Sequence, residues 1–244
     1  FKPNVTALHH RKGSVFLFKM KNLRNEHIMK GIIIAAGYGS RLGPLTATTP
    51  KSLVEIDGKC IITYPIDALV TAGISDISIV VGYRADMIIN YVEKLYPKIN
   101  FSYNQDYDGD NAISVFAARS FIGDDPFVLT MGDHLINSSI VTTLLSDSII
   151  NRTLCVDSES NNPSQINDGT RVMADSEGRI IDIGKNIKNW QSIDTGVFMM
   201  GPEVLDNIEC LMNAKGTKVT ISEVVQHMAD NGRHFQTCDV SGQF

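Results

Sequence analysis

The stretch Gly31–Leu53 reads GIIIAAGYGSRLGPLTATTPKSL and decides what kind of fold and ligand to expect. A short apolar run leads into two glycines, Gly37 and Gly39, which are followed by Arg41 and, ten residues later, by Lys51. Glycine-rich turns after buried strands often bind phosphate, because their backbone N–H groups can approach an anion closely. The stretch therefore predicts a strand that leads into a phosphate-binding loop.

This loop fits neither of the two commonest glycine-loop patterns. The dinucleotide pattern G-x-G-x-x-G has Leu42 where its third glycine should be, which argues against a nicotinamide-dependent dehydrogenase. The P-loop pattern needs a glycine directly before its lysine, but Pro50 precedes Lys51. What remains is a planar guanidinium on Arg41 and a point charge on Lys51, which together with the loop amides can neutralise a triphosphate.

Composition and charge limit the partners of the chain. The 244 residues are 43% hydrophobic and 20% charged, which is ordinary for a globular protein of one large or two small domains. The net charge of −5 gives no support for nucleic acid as a partner, because binding of a polyanion relies on clustered Lys and Arg. Small molecules are therefore the expected substrates.

Cysteine spacing and hydropathy indicate the compartment. The four cysteines lie far apart without a C-x-x-C pair, so neither a zinc knuckle nor a dense disulfide framework is indicated, and reduced, mostly buried thiols are expected. No apolar segment approaches the roughly 20 residues that a membrane span needs, and the start lacks a signal-peptide pattern. These features predict a cytoplasmic protein without a membrane span.

From Gly31 onward, strand and helix signals alternate. Short, continuous, β-branched runs predict strands buried on both faces of a sheet, at residues 31–36, 76–83 and 126–133. Helical patterns separate or follow them at residues 62–72, 85–95 and 112–121. This alternation predicts a doubly wound, mostly parallel, Rossmann-like α/β sheet with any ligand at the carboxyl ends of its strands.

The two ends of the chain differ from this centre. Residues 1–28 are basic and weakly patterned, and we expect them to form an N-terminal extension of one domain over residues 29–244. Strand-like pieces between residues 152 and 200 predict an antiparallel layer on the substrate side of the parallel core. Helices are expected after them at residues 203–212 and 221–230.

Gly37–Lys51 meets every fixed position of the run G-x-G-x-R-L-x-P-L-T-x-x-x-P-K, which resembles the signature of the sugar-phosphate nucleotidyltransferases. The resemblance implies that the loop wraps a nucleoside triphosphate, that Arg41 contacts the leaving pyrophosphate and that Lys51 contacts the phosphate under attack. Backbone groups at strand ends also suit the edge of a pyrimidine base. The predicted nucleotide-binding residues are Ala35, Ala36, Gly37, Gly39, Ser40, Gly82, Gln105 and Asn111.

A second landmark is FVLTMGDHLI, where a buried strand ends in Asp133. A carboxylate in that place needs a charged partner, and Mg²⁺ that bridges phosphates is a natural one. The resemblance likewise implies that Asp133 holds the metal, and we expect His134 to support it or to face the substrate. Family members carry a second metal-binding aspartate in a W-x-D-[VI]-D-like segment, and the sequence stops at residues 240–244, just short of it. Either the sequence is an incomplete copy or the second ligand comes from elsewhere.

The predicted acceptor site lies in the second half of the chain. Family members bind the phosphate of the accepting sugar phosphate with the lysine of a Glu-Lys-Pro segment, and Lys185 takes that place here. Loss of the flanking Glu and Pro weakens the similarity to hexose-phosphate enzymes, while Lys185 keeps a cation for the second phosphate. Asp194 and Thr195 match the segment that lines the acceptor pocket, and we place His134 with them.

The combination of TMGDH, IGK and DTG most closely resembles the inositol-1-phosphate cytidylyltransferases, which make CDP-inositol for phospholipid biosynthesis. The resemblance implies CTP and a small phosphorylated alcohol, inositol-1-phosphate, as substrates, and Mg²⁺ as cofactor. It also implies an in-line attack by the acceptor phosphate on the α-phosphorus. A phosphate monoester is largely deprotonated near neutral pH, so no general base is required.

Three other functions stay open. A phosphocholine or aminoethylphosphonate cytidylyltransferase needs carboxylates and aromatic rings for a cationic acceptor, which Trp190, Tyr107, Asp106 and Asp108 would supply. A hexose-1-phosphate nucleotidyltransferase is the next alternative. A regulatory nucleotide-binding module is the alternative outside the enzymes, although retention of both loop cations argues against it. A homodimer or a fusion partner also remains open.

Overall fold

The computed structural model describes residues 28–39, 48–147, 151–160 and 163–243. The predicted extension before residue 28 and two predicted site residues, Ser40 and Arg41, lie outside the described residues. Within these ranges the strands are β1 (Lys30–Ile34), β2 (Glu55–Ile56), β3 (Lys59–Cys60), β4 (Asp76–Val81), β5 (Asn100–Tyr103), β6 (Phe127–Met131), β7 (Arg152–Asp157), β8 (Arg171–Ala174), β9 (Ile180–Gly184), β10 (Ser192–Met200) and β11 (Gln236–Asp239). The helices are α1 (Thr63–Thr71), α2 (Ala85–Leu95), α3 (Asn111–Ala117), α4 (Arg119–Ile122), α5 (Ser138–Asp147), α6 (Pro163–Asp168), α7 (Glu203–Lys215) and α8 (Ile221–Asp230), and a short 3₁₀-helix covers Lys51–Leu53.

Nine of the strands form one sheet, whose parallel half has the order β6-β1-β4-β5. The segments KGIII, DISIVV and FVLTM form its central strands because β-branched and other apolar side chains fill both of its faces. β1 is paired with a strand on each side, so that Ile34 lies opposite Val80 on β4 and Met131 on β6. The carboxyl ends of these three strands therefore lie at one edge of the sheet.

The order of the strands reverses at β1. The chain runs from β1 to β4 and β5 on one side, and then returns to place β6 on the other side of β1. Because the connections leave β1 and β6 in opposite directions, a crevice opens between their carboxyl ends, which is where doubly wound sheets bind ligands. The fold thus places the segments after Ile34 and Met131 at the candidate site.

The second half of the chain extends the same sheet. β10 runs antiparallel to β6 and β7 and pairs with β8 near its start, while β9 pairs with β8 and β11 pairs in parallel with β7. These pairings confirm the predicted doubly wound, mostly parallel fold with added antiparallel strands. Since β10 is antiparallel to β6, its first residues lie at the carboxyl end of β6.

Alternating side chains of the central strands divide the core into two layers. Ile32 and Leu129 belong to a layer covered by α3, α4, α7 and α8, whereas Ile33 and Val128 belong to a layer covered by α1, α2 and α5. All four side chains are fully buried. Helices on both faces hold the sheet in place, and so they fix the strand ends that carry the site.

Several elements differ from those expected from the sequence. The helix predicted over residues 112–121 is divided at Ala118, whose N–H donates to the Val115 carbonyl in a tighter, i−3 bond of 3.1 Å. The sequence did not predict β5, α5 or β11. Their segments are NFSY, SSIVTTLLSD and QTCD, in which polar and β-branched residues leave only a weak helical or strand period.

None of the four cysteines forms a disulfide, and they differ in exposure. Cys60, Cys155 and Cys238 are buried, whereas Cys210 is exposed. Cys155 and Cys238 lie opposite each other on the parallel strands β7 and β11. None of the helices in the described ranges combines the length and the apolar composition that crossing a bilayer requires.

Candidate active site

The candidate site begins where β1 and β6 end side by side. The Gly132 N–H donates to the Ile34 carbonyl at 2.9 Å, which continues the pairing of the two strands by one residue. A Cβ atom at Gly132 would lie 2.9 Å from the Cβ of Ala35, so the close approach requires glycine. Asp133 follows directly and is therefore held beside the start of the glycine loop.

Lys51 reaches the same point from the far end of that loop. It is the first residue of the 3₁₀-helix, and its Nζ lies 2.5 Å from Oδ2 of Asp133. The two residues are 82 positions apart in sequence, and 35% and 36% of their side chains are exposed. The structure therefore brings two of the predicted catalytic residues together as an ion pair that solvent reaches. Arg41, the third, lies outside the described residues.

His134 extends this ion pair into a chain of three residues. Its Nδ1 lies 2.8 Å from Oδ1 of Asp133, and because an ionised carboxylate only accepts hydrogen bonds, Nδ1 carries the proton. Burial by itself raises the pKa of Asp133, but the hydrogen bonds and charges of His134 and then of Lys51 outweigh it and hold this pKa well below its usual range. Asp133 is thus an anion with one partner on each of its two oxygens.

Asp133 is a residue that could hold a magnesium ion. Mg²⁺ usually takes one or two carboxylates and completes its shell with water and substrate phosphates. Within the described ranges, no three His, Cys, Asp or Glu side chains converge as they would in an all-protein metal cage. A single anionic carboxylate, exposed over about a third of its surface, agrees instead with a metal that arrives with a triphosphate.

β10 returns the chain to the opposite side of Asp133. Asp194 lies near the start of β10, and its Oδ1 accepts the N–H of Gly196 at 2.7 Å. Gly196 has a φ of +78°, and a Cβ there would lie 2.9 Å from Cγ of Met131 and 3.3 Å from Cδ2 of His134, so glycine lets both side chains pack against this turn. Burial raises the pKa of Asp194 to about 6, although the Gly196 N–H and the charge of His134 oppose the shift. A desolvated carboxylate of this kind is suited to accept a hydrogen bond from a ligand.

Replacing Asp194 by asparagine is expected to stabilise the protein above pH 6 but not below pH 4. The ordinary pKa of this carboxyl is 3.8 and its folded value is about 6, so the folded state favours the neutral acid and loses stability as pH rises between these values. At pH 8 the ionised carboxylate costs up to about 3 kcal/mol, a cost that asparagine avoids. Urea unfolding at pH 8 and pH 4 measures the effect. Equal stabilisation at both pH values would contradict the assigned cause.

Lys185 lies at the same edge of the sheet, two strands away from Asp194. Arg171 at the start of β8 pairs with Gly184 on β9 and with Ile193 on β10. Lys185 follows Gly184 and Asp194 follows Ile193, so these two residues lie at the same level of the sheet, on either side of the start of β8. The Lys185 side chain is about half exposed, and its ion pair with the end of α6 is 3.3 Å long. The structure places a cation and a carboxylate in one row beside β6.

Two other predicted site residues use their side chains to hold the framework. Thr195 is buried, and its hydroxyl donates to the Cys155 carbonyl at 2.8 Å, which ties β10 to β7. Asn111 starts α3, and its Oδ1 accepts the N–H of Ile221 at 2.8 Å, which ties α3 to α8. Their backbones still border the predicted acceptor and nucleotide regions, but their side chains are engaged elsewhere.

The remaining nucleotide-binding residues of the prediction follow the carboxyl ends of β1, β4 and β5. The Ala36 carbonyl accepts the Tyr83 N–H at 2.9 Å, which keeps the ends of β1 and β4 together. A Cβ at Gly37 would meet none of the described residues within 4 Å. Gly39 has a φ of +68°, and Gln105 is exposed in the turn after β5.

A row of three tyrosines along these strand ends was not predicted from the sequence. Tyr38 follows β1, Tyr83 follows β4 and Tyr107 follows β5. Their ring centroids are 4.5 Å apart for the first pair and 6.3 Å apart for the second. Each tyrosine comes within four residues of the end of its strand, and this shared position is the sequence signal that identifies them.

Comparison with known proteins shows which family shares the sequence of this chain. A family model described as Nucleotidyl transferase matches residues 30–243. A glucose-1-phosphate thymidylyltransferase from Streptomyces antibioticus is 25% identical over 231 residues, which are 88% of this chain and 61% of that protein. A CTP:phosphoglutamine cytidylyltransferase from Campylobacter jejuni is 46% identical over 95 residues, which are 38% of this chain and 37% of that protein. The matches thus span less than two thirds of the length of these two relatives.

A solved structure extends the similarity to most of the chain. The inositol-1-phosphate CTP transferase from T. maritima superimposes with a TM-score of 0.77 at 26% sequence identity, and the match covers 88% of this chain and 87% of that one. The names of these three proteins contain three different phosphate-bearing acceptors, while all three name a nucleotidyl transfer.

Proposed function

The chain belongs to the nucleotidyl transferase family, and on this premise we propose that it joins CTP and inositol-1-phosphate to give CDP-inositol and pyrophosphate. The observation that carries the proposal is the ion pair of Lys51 and Asp133 in the crevice between β1 and β6. Asp194 lies on β10, on the other side of β6 from β1, and Lys185 follows β9, which is joined to the start of β10 through β8. This arrangement offers one charged region to a triphosphate and a second one to the phosphate of an acceptor.

The main obstacle to such a reaction is the repulsion between two polyanions. Catalysis of phosphoryl and nucleotidyl transfer therefore depends on positioning and on neutralisation of charge more than on covalent chemistry. The described site is consistent with this demand because Lys51, Lys185 and the loop amides supply positive charge and hydrogen-bond donors rather than a nucleophile. In this proposal the strand ends of a rigid sheet hold both substrates in line.

In the proposed reaction, an oxygen of the acceptor phosphate forms a bond to the α-phosphorus of CTP. The bond between that phosphorus and the oxygen that bridges to the β-phosphate breaks, and pyrophosphate leaves with this oxygen. Lys51 neutralises the α-phosphate, while Arg41 and the loop amides of Gly37 and Gly39 hold the departing pyrophosphate. Lys185 binds the acceptor phosphate, which needs no general base because it is already largely deprotonated near neutral pH.

Asp133 has two tasks in this mechanism. Its Oδ2 holds Nζ of Lys51 at 2.5 Å, and its Oδ1 is fixed by Nδ1 of His134 at 2.8 Å, so the carboxylate cannot turn freely. It is also the residue that would hold Mg²⁺ together with phosphate oxygens. When bound, this ion neutralises charge on the triphosphate and helps to orient it.

The choice of inositol-1-phosphate as the acceptor rests on Asp194 and Lys185, which lie in one row beside β6. Asp194 can accept a hydrogen bond from a hydroxyl group, which suits a polyol such as inositol. The likeness to the T. maritima enzyme, at 26% identity over most of both chains, supports the same choice and the choice of CTP. A cytidylyltransferase for an acceptor with an amino or amide group is the second candidate, because the Campylobacter relative reaches 46% identity over its matched segment.

A screen for pyrophosphate release tests the proposal. CTP, UTP, GTP, ATP and dTTP are each offered with inositol-1-phosphate, phosphocholine, 2-aminoethylphosphonate or glucose-1-phosphate in the presence of Mg²⁺. We expect release to be fastest with CTP and inositol-1-phosphate, with CDP-inositol identified by mass spectrometry. Faster release with another acceptor would replace the proposed substrate, and no release with any pair would favour a regulatory binding module.

Replacing Lys185 by alanine is expected to raise the KM for the acceptor by roughly 10- to 100-fold and to leave the KM for CTP within about twofold. The reason is that a charge-assisted hydrogen bond to a phosphate contributes about 1.5–3 kcal/mol of binding. Lys188 is a matched control, because it is an exposed lysine three residues away in the same loop. Steady-state kinetics with each substrate varied in turn measures both constants. Equal changes in the Lys185→Ala and Lys188→Ala variants would contradict the assignment.

A further inference from the structure

The row of three tyrosines lies on the side of the glycine loop away from Asp133 and Asp194. Tyr38 belongs to the loop itself, and its ring meets the Tyr83 ring edge to face at an angle of 68°. Tyr107 continues the row on the other side of Tyr83 at a tilt of 53°. Because β1, β4 and β5 are neighbours in the sheet, the row crosses the carboxyl ends of three adjacent parallel strands.

The backbone around the row is shaped to bring the rings together. A Cβ at Gly82 would lie 2.6 Å from the Cβ of Tyr107 and 3.0 Å from the Cβ of Ala36, so glycine at the end of β4 allows Tyr107 to approach. Arg84 adopts a left-handed φ of +48° at the start of α2, and its Nε donates to the Tyr83 hydroxyl at 2.9 Å. A non-glycine residue in this conformation is uncommon and marks a place where the surrounding structure imposes it.

The outer rings of the row are open to solvent. Tyr38 is 47% exposed and Tyr107 is 40% exposed, although both lie in a region of tight backbone packing. The exposed ring of Tyr38 or of Tyr107, each next to the phosphate-binding loop, offers a flat apolar face to a planar group that is attached to the phosphates.

We propose that Tyr38 and Tyr107 form a stacking surface for the base of the bound nucleotide, with Tyr83 as the fixed ring between them. The proposal rests on the proposed nucleotidyl transfer and adds residues that bind the base. Stacking tolerates every base, because each base has a π face. The tyrosines therefore determine how tightly a nucleotide binds, while its identity is read by hydrogen-bonding groups at the strand ends, such as Gln105.

Binding of two probes to the full chain tests the proposal. Equilibrium dialysis with CTP and with inorganic tripolyphosphate, both with Mg²⁺, is compared for the wild type and for Tyr38→Leu and Tyr107→Leu. Loss of a stacking partner should weaken CTP binding by about 5- to 100-fold in each variant. Tripolyphosphate, which lacks a base, should bind within about twofold of the wild type. Because stacking is not selective, the ratio of the CTP and UTP dissociation constants should stay constant.

Three further variants serve as controls. Tyr38→Phe and Tyr107→Phe keep a ring and are expected to keep CTP binding within about threefold of the wild type, since stacking does not need the hydroxyl. Tyr103→Leu removes a tyrosine at the end of β5 that is 62% exposed and lies outside the row, and it should leave both dissociation constants unchanged. Thermal unfolding of each variant identifies a folding defect, in which case the leucine variant at the other tyrosine carries the comparison.

Unchanged CTP binding in both leucine variants would overturn the stacking surface while leaving the proposed enzyme intact. Parallel weakening of CTP and tripolyphosphate would also overturn it, because the effect would then act through the phosphate loop. A changed ratio of CTP to UTP binding would assign base selection, rather than stacking alone, to the tyrosines and would contradict the proposal as stated. If no nucleotide binds to the wild type, the proposed function fails and the stacking surface fails with it.

Discussion

Replacing Lys51 by alanine is expected to lower kcat for nucleotidyl transfer by roughly 10³-fold. Lys51 Nζ lies in the crevice between β1 and β6, held at 2.5 Å from Asp133, where an α-phosphate would develop extra negative charge during the reaction. Loss of a single cationic or hydrogen-bonding group aimed at such charge commonly reduces turnover by about 10²- to 10⁵-fold. A steady-state assay of pyrophosphate release under saturating substrates measures the effect.

Lys59→Ala is the matched control for this prediction. Lys59 also forms an ion pair of 2.5 Å with a carboxylate, that of Asp67, and its side chain is similarly exposed, but the pair joins β3 to α1 rather than the glycine loop to the end of β6. Exposed pairs contribute about 0–1 kcal/mol to stability, so neither variant should unfold. A Lys51→Ala enzyme with near-normal turnover would remove Lys51 from the mechanism.

The second large effect is expected from Asp133→Asn, which should lower kcat by about 10²- to 10³-fold and raise the Mg²⁺ concentration needed for half-maximal rate. Asparagine keeps the size of the side chain but removes the anion that orients Lys51 and that would bind the metal. It also removes the charge partner of His134, whose Nδ1 lies 2.8 Å from Oδ1 of Asp133. Rates measured over a range of Mg²⁺ concentrations separate the change in kcat from the change in metal dependence.

Asp67→Asn provides the corresponding control for the carboxylate. Asp67 accepts hydrogen bonds from Lys59 and from the Tyr96 hydroxyl, at 2.5 and 2.7 Å, so its replacement also breaks a lysine–carboxylate pair. We expect its rate and its Mg²⁺ dependence to stay within about twofold of the wild type. If Asp133→Asn kept the wild-type Mg²⁺ dependence, Asp133 would not be the ligand of the metal.

The family and the fold class were both predictable from short, contiguous stretches of sequence. The run Gly37–Lys51 carries the loop pattern within 15 residues, and the family match over residues 30–243 confirms the resemblance read from it. The strands β1, β4 and β6 were predictable because a continuous β-branched run has to be buried on both faces. The edge strands β5 and β11 were missed because their polar residues face solvent or the sheet edge and leave no such run.

The site could be predicted in part. Asp133 at the end of a strand indicated a need for a cation, and the motif indicated Lys51, but nothing local in the sequence placed their atoms 2.5 Å apart across 82 positions. Conversely, Thr195 and Asn111 were predicted to bind the substrates, but their side chains hydrogen-bond within the framework. Which way a side chain points at the end of a strand depends on its neighbours in space, and these neighbours come from distant parts of the chain.

By itself, the sequence determined that this protein is built from alternating strands and helices and that it carries a cationic, glycine-rich loop after the first strand. Both properties are local, because hydrophobic period and loop chemistry act over a few residues. Only the tertiary structure decided that the loop meets Asp133, that Asp194 and Lys185 share one rung beside β6, and that three tyrosines form a row. These juxtapositions depend on strand order and register, which are set by long-range pairing in the sheet.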